Sequence, residues 1–209
     1  RDYERRTSVP ADFMAEFSDH STRSYQQWTV ARPDNDFASV IPHLEKTLEL
    51  SRQLADFFPG YSHIADPLID FSDPGMKTAS VRQIFSRLRQ QLVPLVEVIS
   101  GQPATDDSCL HADFPEDQQI AFGKTVIEQF GYDFNRGRQD KTHHPFMTKF
   151  SLGDVRITTR SKLNDISEAL FSTTHEAGHA LYEQGINRDY EASPLGTGTS
   201  SGVHESQSR

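Results

Sequence analysis

The stretch "STTHEAGHALYEQG" (172–185) places two histidines four residues apart, with a glutamate directly after the first. On a helix, residues i and i+4 lie on one face, so His175 and His179 can direct both imidazoles at one metal ion. Glu176 lies about 100° round the helix from His175, beside such an ion. A carboxylate there can take a proton from a metal-activated water and return it to a leaving amine. The stretch therefore predicts a helix that carries a hydrolytic metal centre.

The pattern H-E-x-x-H is typical of zinc peptidases. The alternative is a surface helix that happens to carry two histidines, and an accidental match in a chain of this composition has a probability of roughly two per cent. Gly178 favours the metal site. Glycine in a helix interior costs about 1 kcal/mol relative to alanine, so its presence indicates close packing or the approach of a metal.

A catalytic zinc site needs three protein ligands and an open position. The carboxylates and the imidazole that follow His179 in the chain are Glu183, Asp189, Glu191, His204 and Glu205. Glu183 lies on the same helix, where three ligands along one axis would fit a tetrahedron badly. Glu205 follows a Gly/Ser-rich connection that is long enough to reverse direction, so it can approach from a second helix. His204 is either the alternative ligand from that turn or a hydrogen-bonding partner of a ligand.

The rest of the chain predicts mainly α-helical structure. A first helix is predicted up to about Val30. Apolar residues then recur at helical spacing over 37–58 and over 81–99. Thr78 is the predicted N-cap of the second of these helices, and Pro94 should bend or end it.

The segment "PFMTKFSLGDVRITTR" (145–160) breaks the helical rhythm. Its apolar residues alternate on both sides of "SLGD", which predicts a β-hairpin or one short strand and its partner. Asn164 or Asp165 is predicted to open the helix of the metal motif, and Gly185 to end it as a C′ glycine. The last residues, "VHESQSR" (203–209), begin another helix.

These elements predict a mainly α fold, a helical zincin-like metallopeptidase with a short hairpin or small sheet near the metal site. Residues 1–209 are expected to be part of a single domain. Within it, 1–132 is a helical segment and 133–209 is the metal-site segment, of which 133–141 is charged and predicted to be loop. The second segment contains the hairpin, the motif helix and the start of the helix that supplies the third ligand.

Composition excludes several classes of protein. The chain has 209 residues, a net charge of −9 and 35% hydrophobic residues. Without a basic footprint, nucleic acid is not a predicted partner, and no apolar run approaches the roughly 20 residues that cross a bilayer. Cys109 is the only cysteine, which excludes an internal disulfide and a cysteine-based zinc site. The missing N-terminal Met and the helical last residues lead us to expect a piece of a longer protein.

Several segments resemble the motifs of one known family, the carboxypeptidase Taq family of zinc metallopeptidases. In chain order they are "HPF" (144–146), "DVRITTR" (154–160), "HEAGHALYEQG" (175–185) and "HESQSR" (204–209). The resemblance extends upstream through "GYDFNRGRQDKTHHPF" and "RPDNDFASVIPHLEKTLEL". Each motif alone is modest, but four in the right order are highly specific.

The resemblance implies a mostly helical enzyme that removes residues from the free C-termini of peptides, usually as a cytoplasmic homodimer with zinc or cobalt. It also implies that His175, His179 and Glu205 are the metal ligands and that Glu176 is the general base. A set of two histidines and a carboxylate accommodates Zn²⁺, Co²⁺ or Mn²⁺. Other open interpretations are an oligopeptidase or dipeptidyl carboxypeptidase of a related helical zincin fold, and a metal-binding fragment without activity.

The chain departs from the family pattern in length. Two motifs expected downstream are absent: one contains the arginine that holds the terminal carboxylate of the substrate, and the other is Gln-Asp-x-His-Trp. The resemblance therefore predicts a truncated form, with the metal half of the active site present and the carboxylate-binding residue expected beyond Arg209.

Four further residues are candidates for substrate binding or for supporting the ligands: His144, Asp154, Arg156 and His204. His144 precedes a proline, so its backbone should be extended, and it either touches substrate or is a buried histidine at a corner. Asp154 and Arg156 share a strand face and predict a buried ion pair that braces the site. "VRITTR" (155–160) is the candidate strand for pairing with an extended peptide.

Overall fold

The computed structural model describes residues 2–209, and its mainly helical architecture with a small sheet confirms the predicted fold class. The helices are α1 (Asp2–Ser8), α2 (Ala11–Ala31), α3 (Ile41–Asp56), α4 (Asp66–Ser72), α5 (Thr78–Ser100), α6 (Glu116–Gln129), α7 (Ile166–Gln184) and α8 (Ser201–Gln207). The strands are β1 (Gln139–Lys141), β2 (Met147–Ser151) and β3 (Asp154–Thr159). In this part of the chain, no helix is both long enough and apolar enough to cross a membrane.

The chain divides into two compact units, one that ends at Leu95 and one that begins at Val96. The prediction that residues 1–209 are part of one domain stays a prediction. In the first unit, Pro10 separates α1 from α2, so the single N-terminal helix expected up to Val30 is two helices. Pro42 lies in the first turn of α3, where its missing N–H costs no helical hydrogen bond.

Asp66 sets the start of α5. Its Oδ1 accepts a 2.8 Å hydrogen bond from the backbone N–H of Thr78, and the side chain is buried. The bonds from the Thr78 hydroxyl and backbone lower the pKa of Asp66 to about 2. Thr78 is thus the first helical residue and receives its cap from Asp66, so the prediction that Thr78 is itself the N-cap is wrong. Pro94 does not end the helix, which continues to Ser100.

The second unit contains the three-stranded sheet, with strand order β1-β3-β2. The central strand β3 runs antiparallel to β2, with Met147 opposite Ile157, and parallel to β1, with Gln139 opposite Ile157. The β2–β3 pair confirms the predicted hairpin. β1 lies where a loop was predicted, because its residues are Gln, Asp and Lys and carry no apolar alternation.

α6, α7 and the sheet enclose the core of this unit. Its fully or nearly buried members are Ile127, Tyr132, Val155, Ile157, Ala177 and Ala180. The Tyr132 hydroxyl donates a 2.7 Å hydrogen bond to the carbonyl of Val155, which satisfies both groups inside the core. Small alanines on α7 let the helix lie close to β3.

The two ends of α7 differ in how well the sequence predicts them. Asp165 is the N-cap, as expected, and its side chain accepts a 2.9 Å hydrogen bond from the backbone N–H of Ser167. Gly185 follows the last helical residue with φ −75°, in the right-handed region. The helix thus ends where it was predicted to end, but Gly185 is the C-cap residue and not the C′ glycine that was predicted.

Candidate metal centre

α7 and α8 bring His175, His179 and Glu205 together, with one ligand atom from each lying within 4.8 Å of the others. The Nε2 of His175 is 3.9 Å from Oε2 of Glu205, and the Nε2 of His179 is 3.8 Å from Oε1. A tetrahedral ion with bonds of about 2.0–2.1 Å would hold its ligand atoms about 3.4 Å apart. The donor set and its spacing therefore fit a divalent metal ion. Glu205 is 54% exposed, which leaves one side of the cluster open.

Gly178 explains how α8 reaches the motif helix. A Cβ on this glycine would lie 2.5 Å from Cα of Ser208 and 2.8 Å from the carbonyl oxygen of Gln207. Such distances are shorter than real side chains tolerate, so only glycine lets the end of α8 lie against α7. The close packing that Gly178 indicates in the sequence is thus the packing of the helix that carries Glu205.

The other candidates for the third ligand have different partners. Glu183 is bound by Lys149 and His204, and its side chain is only 5% exposed. The carboxylate of Glu191 accepts a 2.8 Å hydrogen bond from the backbone N–H of Leu152. Asp189 lies in an exposed turn, where Asn187 accepts from its backbone N–H. None of these three carboxylates belongs to the cluster.

Glu176 is buried beside the cluster, 7% exposed, between α7 and β2. The pKa of Glu176 is raised to about 7, chiefly by burial and to a smaller extent by the negative charge of Glu205. The backbone N–H of Met147 donates to the carboxylate and thereby opposes this rise. A bound cation would lower this pKa again by favouring the ionised form. A carboxylate whose pKa lies near neutrality is suited to take up and release a proton.

His204 lies next to the cluster and contacts one of its members. Its Nδ1 is 3.1 Å from Nδ1 of His179, and its Nε2 is 3.0 Å from Oε1 of Glu183. Burial lowers the pKa of His179. Burial also opposes ionisation of Glu183, but hydrogen bonds from Lys149, His204 and Gly198 outweigh it and hold its pKa below the usual range.

The remaining candidates lie outside the cluster. Arg156 and Asp154 form a two-pronged ion pair, with Nε–Oδ1 at 2.7 Å, and the guanidinium lies 4.9 Å from the ring centre of Phe150. The predicted ion pair is therefore present, but it is half-buried, so only the expectation that the pair is buried is wrong. His144 is exposed in the connection between β1 and β2, which excludes the buried corner histidine.

The interpretation of 155–160 as a strand that pairs with peptide is also wrong. Its strand, β3, is central: residues 154–157 pair with β2 and residues 157–159 pair with β1. The two edge strands of this sheet are β1 and β2. The central position of β3 could not be predicted from local patterns, because β1, the strand on its other side, is wholly polar.

Two contributors to the site carry no sequence signal. The backbone N–H of Met147 reaches Glu176 because β2 packs against α7. Lys149, two residues further along β2, donates a 2.6 Å hydrogen bond to Glu183. A backbone donor can be any residue, and an isolated lysine has no spacing that marks it.

Comparison with known proteins confirms the resemblance seen in the motifs. The family described as carboxypeptidase Taq (M32) metallopeptidase matches residues 1–209. Carboxypeptidase 1 of Bacillus subtilis is 34% identical over 100% of this chain, and thermostable carboxypeptidase 1 of Thermus thermophilus is 35% identical over 99% of it. The crystal structure of an M32 carboxypeptidase from Deinococcus radiodurans is 53% identical over 100% of the chain, with a TM-score of 0.84. The chain spans 42% of the length of each of these three proteins.

Proposed function

Because this chain belongs to the carboxypeptidase Taq (M32) metallopeptidase family, we propose that it carries the metal-binding part of an active site that removes residues from the C-termini of peptides. The observation that supports this most strongly is the meeting of His175, His179 and Glu205, from two helices, beside the buried carboxylate of Glu176. The group that holds the terminal carboxylate of the substrate is proposed to lie beyond Arg209, in the part of its relatives that this chain does not span.

His175, His179 and Glu205 would hold the metal ion, which we propose to be Zn²⁺, with Co²⁺ or Mn²⁺ able to occupy the same donors. When bound, the ion would polarise the carbonyl of the scissile bond and lower the pKa of the attacking water. Glu176 accepts the proton of that water on its carboxylate and passes it to the nitrogen of the departing amino acid. The N–H of Met147 holds the carboxylate in place for both transfers.

The proposed substrates follow from this site, and the proposed assembly and location follow from the family resemblance. The substrates are peptides with a free C-terminus, and the full-length protein is proposed to act as a cytoplasmic homodimer. The net charge of −9 of the 209-residue chain argues against binding to nucleic acid. Asp154, Arg156 and His144 are proposed to contribute to substrate binding or to support of the site from the sheet and from the connection before β2.

Product analysis tests the proposed reaction. The chain, and a longer chain that includes the downstream part of the protein, would be incubated with N-acylated peptides and Zn²⁺, with and without a chelator. We expect single amino acids to be released by the longer chain and the chelator to stop the release. Release of dipeptides would indicate a dipeptidyl carboxypeptidase instead. Zinc binding without hydrolysis by either chain would contradict the proposal and indicate a metal-binding protein without activity.

A further inference from the structure

A series of hydrogen bonds connects β2 through α7 and α8 to a ligand of the candidate metal centre. Lys149 Nζ donates to Oε2 of Glu183 at 2.6 Å. Oε1 of Glu183 is 3.0 Å from Nε2 of His204, and Nδ1 of His204 is 3.1 Å from Nδ1 of His179. The far nitrogen of His179, Nε2, faces Glu205.

The carboxylate of Glu183 is held in place by several hydrogen bonds. The Glu183 side chain is 5% exposed, and besides Lys149 it accepts from the backbone N–H of Gly198 at 3.0 Å. A Cβ on Gly198 would lie 2.7 Å from Nε2 of His204 and 2.9 Å from Oε1 of Glu183. A side chain at this position would force His204 or Glu183 to move, so glycine favours this close approach of the N–H. Lys149 is held in turn by the carbonyl of Gly196, at 2.6 Å.

The carboxylate of Glu183 determines which atoms donate and which accept in this series of hydrogen bonds. An ionised Glu183 can only accept hydrogen bonds, so Nε2 of His204 must carry the proton between them. In a neutral imidazole the other nitrogen is then an acceptor, so Nδ1 of His204 accepts from Nδ1–H of His179. That leaves a lone pair on Nε2 of His179, on the side of Glu205. This is the tautomer that a metal ion requires of a ligand.

We propose that Glu183 is a positioning residue. Through His204, it holds His179 in the tautomer that binds the metal ion. The inference rests on the proposed metal centre, and it assigns Lys149 and Gly198 the task of fixing the carboxylate. Partners of this kind orient metal-ligating histidines, and their loss weakens metal binding by about 10–100-fold.

Glu183→Gln tests the proposal sharply. Lys149 would keep the amide oxygen at the Oε2 position, so the amide NH₂ would face His204 and donate to its Nε2. His204 then carries its proton on Nδ1 and donates to His179, whose own proton moves to Nε2. We expect two-bond ¹H–¹⁵N spectra of the metal-free protein, at about pH 8.5 where imidazoles are usually neutral, to show this change of tautomer. Competition titration with a chelator should show about 10–100-fold weaker binding of Zn²⁺.

Glu168→Gln is the matched control, because Glu168 is a half-buried carboxylate on the same helix whose partners are Arg160 and Lys162. It should change neither the tautomer of His179 nor the zinc affinity. An unchanged tautomer, or an unchanged affinity, in Glu183→Gln would overturn the proposal. If that variant does not fold, His204→Phe removes the link to His179, and wild-type affinity in it would overturn the proposal equally. Failure of the wild-type chain to bind zinc would instead contradict the proposed function, while the tautomer measurement in metal-free protein would still decide this inference.

Discussion

The helices α5 and α7 both carry apolar repeats but have different surroundings. On α7, Ala177 and Ala180 are fully buried against the core, and Glu176 is buried beside the candidate metal centre. On α5, every residue over 82–100 is exposed, including Ile99 at 61%. An apolar repeat therefore predicts a helix but not the degree to which its apolar face is covered. We expect substitutions on or against α7 to affect activity and stability, and equivalent changes on α5 to have little effect in this chain.

The largest expected difference between the helices is in hydrolysis. Glu176→Gln keeps the shape of the side chain but removes the group that exchanges the proton, so peptide hydrolysis by the longer chain should fall by about 10²–10⁴-fold. Glu97→Gln, the same change on the exposed α5, should leave the rate unchanged. Steady-state kinetics with one N-acylated peptide measures both. Equal rates for Glu176→Gln and wild type would remove Glu176 from the proposed mechanism.

Next in size is the stability of the core against which α7 packs. Ile127 is fully buried in contact with this core, so Ile127→Ala should lower the free energy of unfolding by about 2–5 kcal/mol. Ile99→Ala makes the same change on the exposed part of α5 and should alter the free energy of unfolding by less than about 0.5 kcal/mol. Urea unfolding followed by circular dichroism compares the two variants. A large loss for Ile99→Ala would indicate that α5 is covered in solution.

A third effect depends on pH. Burial raises the pKa of Glu176 from 4.5 to about 7 in the metal-free chain. Between these values the folded chain keeps a proton that the unfolded chain has released, so stability falls as pH rises from 4.5 to 7. Glu176→Gln removes this loss, and metal-free Glu176→Gln should be about 1–3 kcal/mol more stable than wild type at pH 8. The advantage should vanish near pH 4, and urea unfolding with a chelator present measures it. A constant difference between pH 4 and pH 8 would contradict the raised pKa.

The smallest expected effect has the opposite dependence on pH and concerns the start of α5. Bonds from Thr78 lower the pKa of Asp66 from 3.8 to about 2, so Asp66 stabilises the fold above pH 4 and loses this contribution as pH falls through 2. Asp66→Ala should therefore destabilise the chain at pH 7, and the difference from wild type should shrink on acidification. Thermal unfolding at pH 7 and pH 2 checks this. A difference that does not shrink would mean that Asp66 acts through packing and not through its charge.

Elements with a local signal could be predicted from the sequence. The motif helix with its Asp165 cap, the hairpin, and a second helix carrying Glu205 all have short-range patterns of apolar spacing or capping. β1 could not be predicted, because its polar residues are ordered only by pairing with β3. Capping of Thr78 by Asp66 joins residues 12 apart, and no local rule connects them. The bond from Lys149 to Glu183 joins residues 34 apart and depends on the packing of β2 against α7.

The central claim is that α7 and α8 together hold one metal ion through His175, His179 and Glu205. Its most direct test is competition titration of the metal-free chain with Zn²⁺, for wild type and for Glu205→Ala, with elemental analysis of the saturated wild type. We predict one zinc per wild-type chain. Removal of a hydrogen-bonding partner of a ligand weakens metal binding by about 10–100-fold, and Glu205→Ala, which removes a ligand, should weaken zinc binding by more than this. Full zinc affinity in Glu205→Ala would contradict the claim.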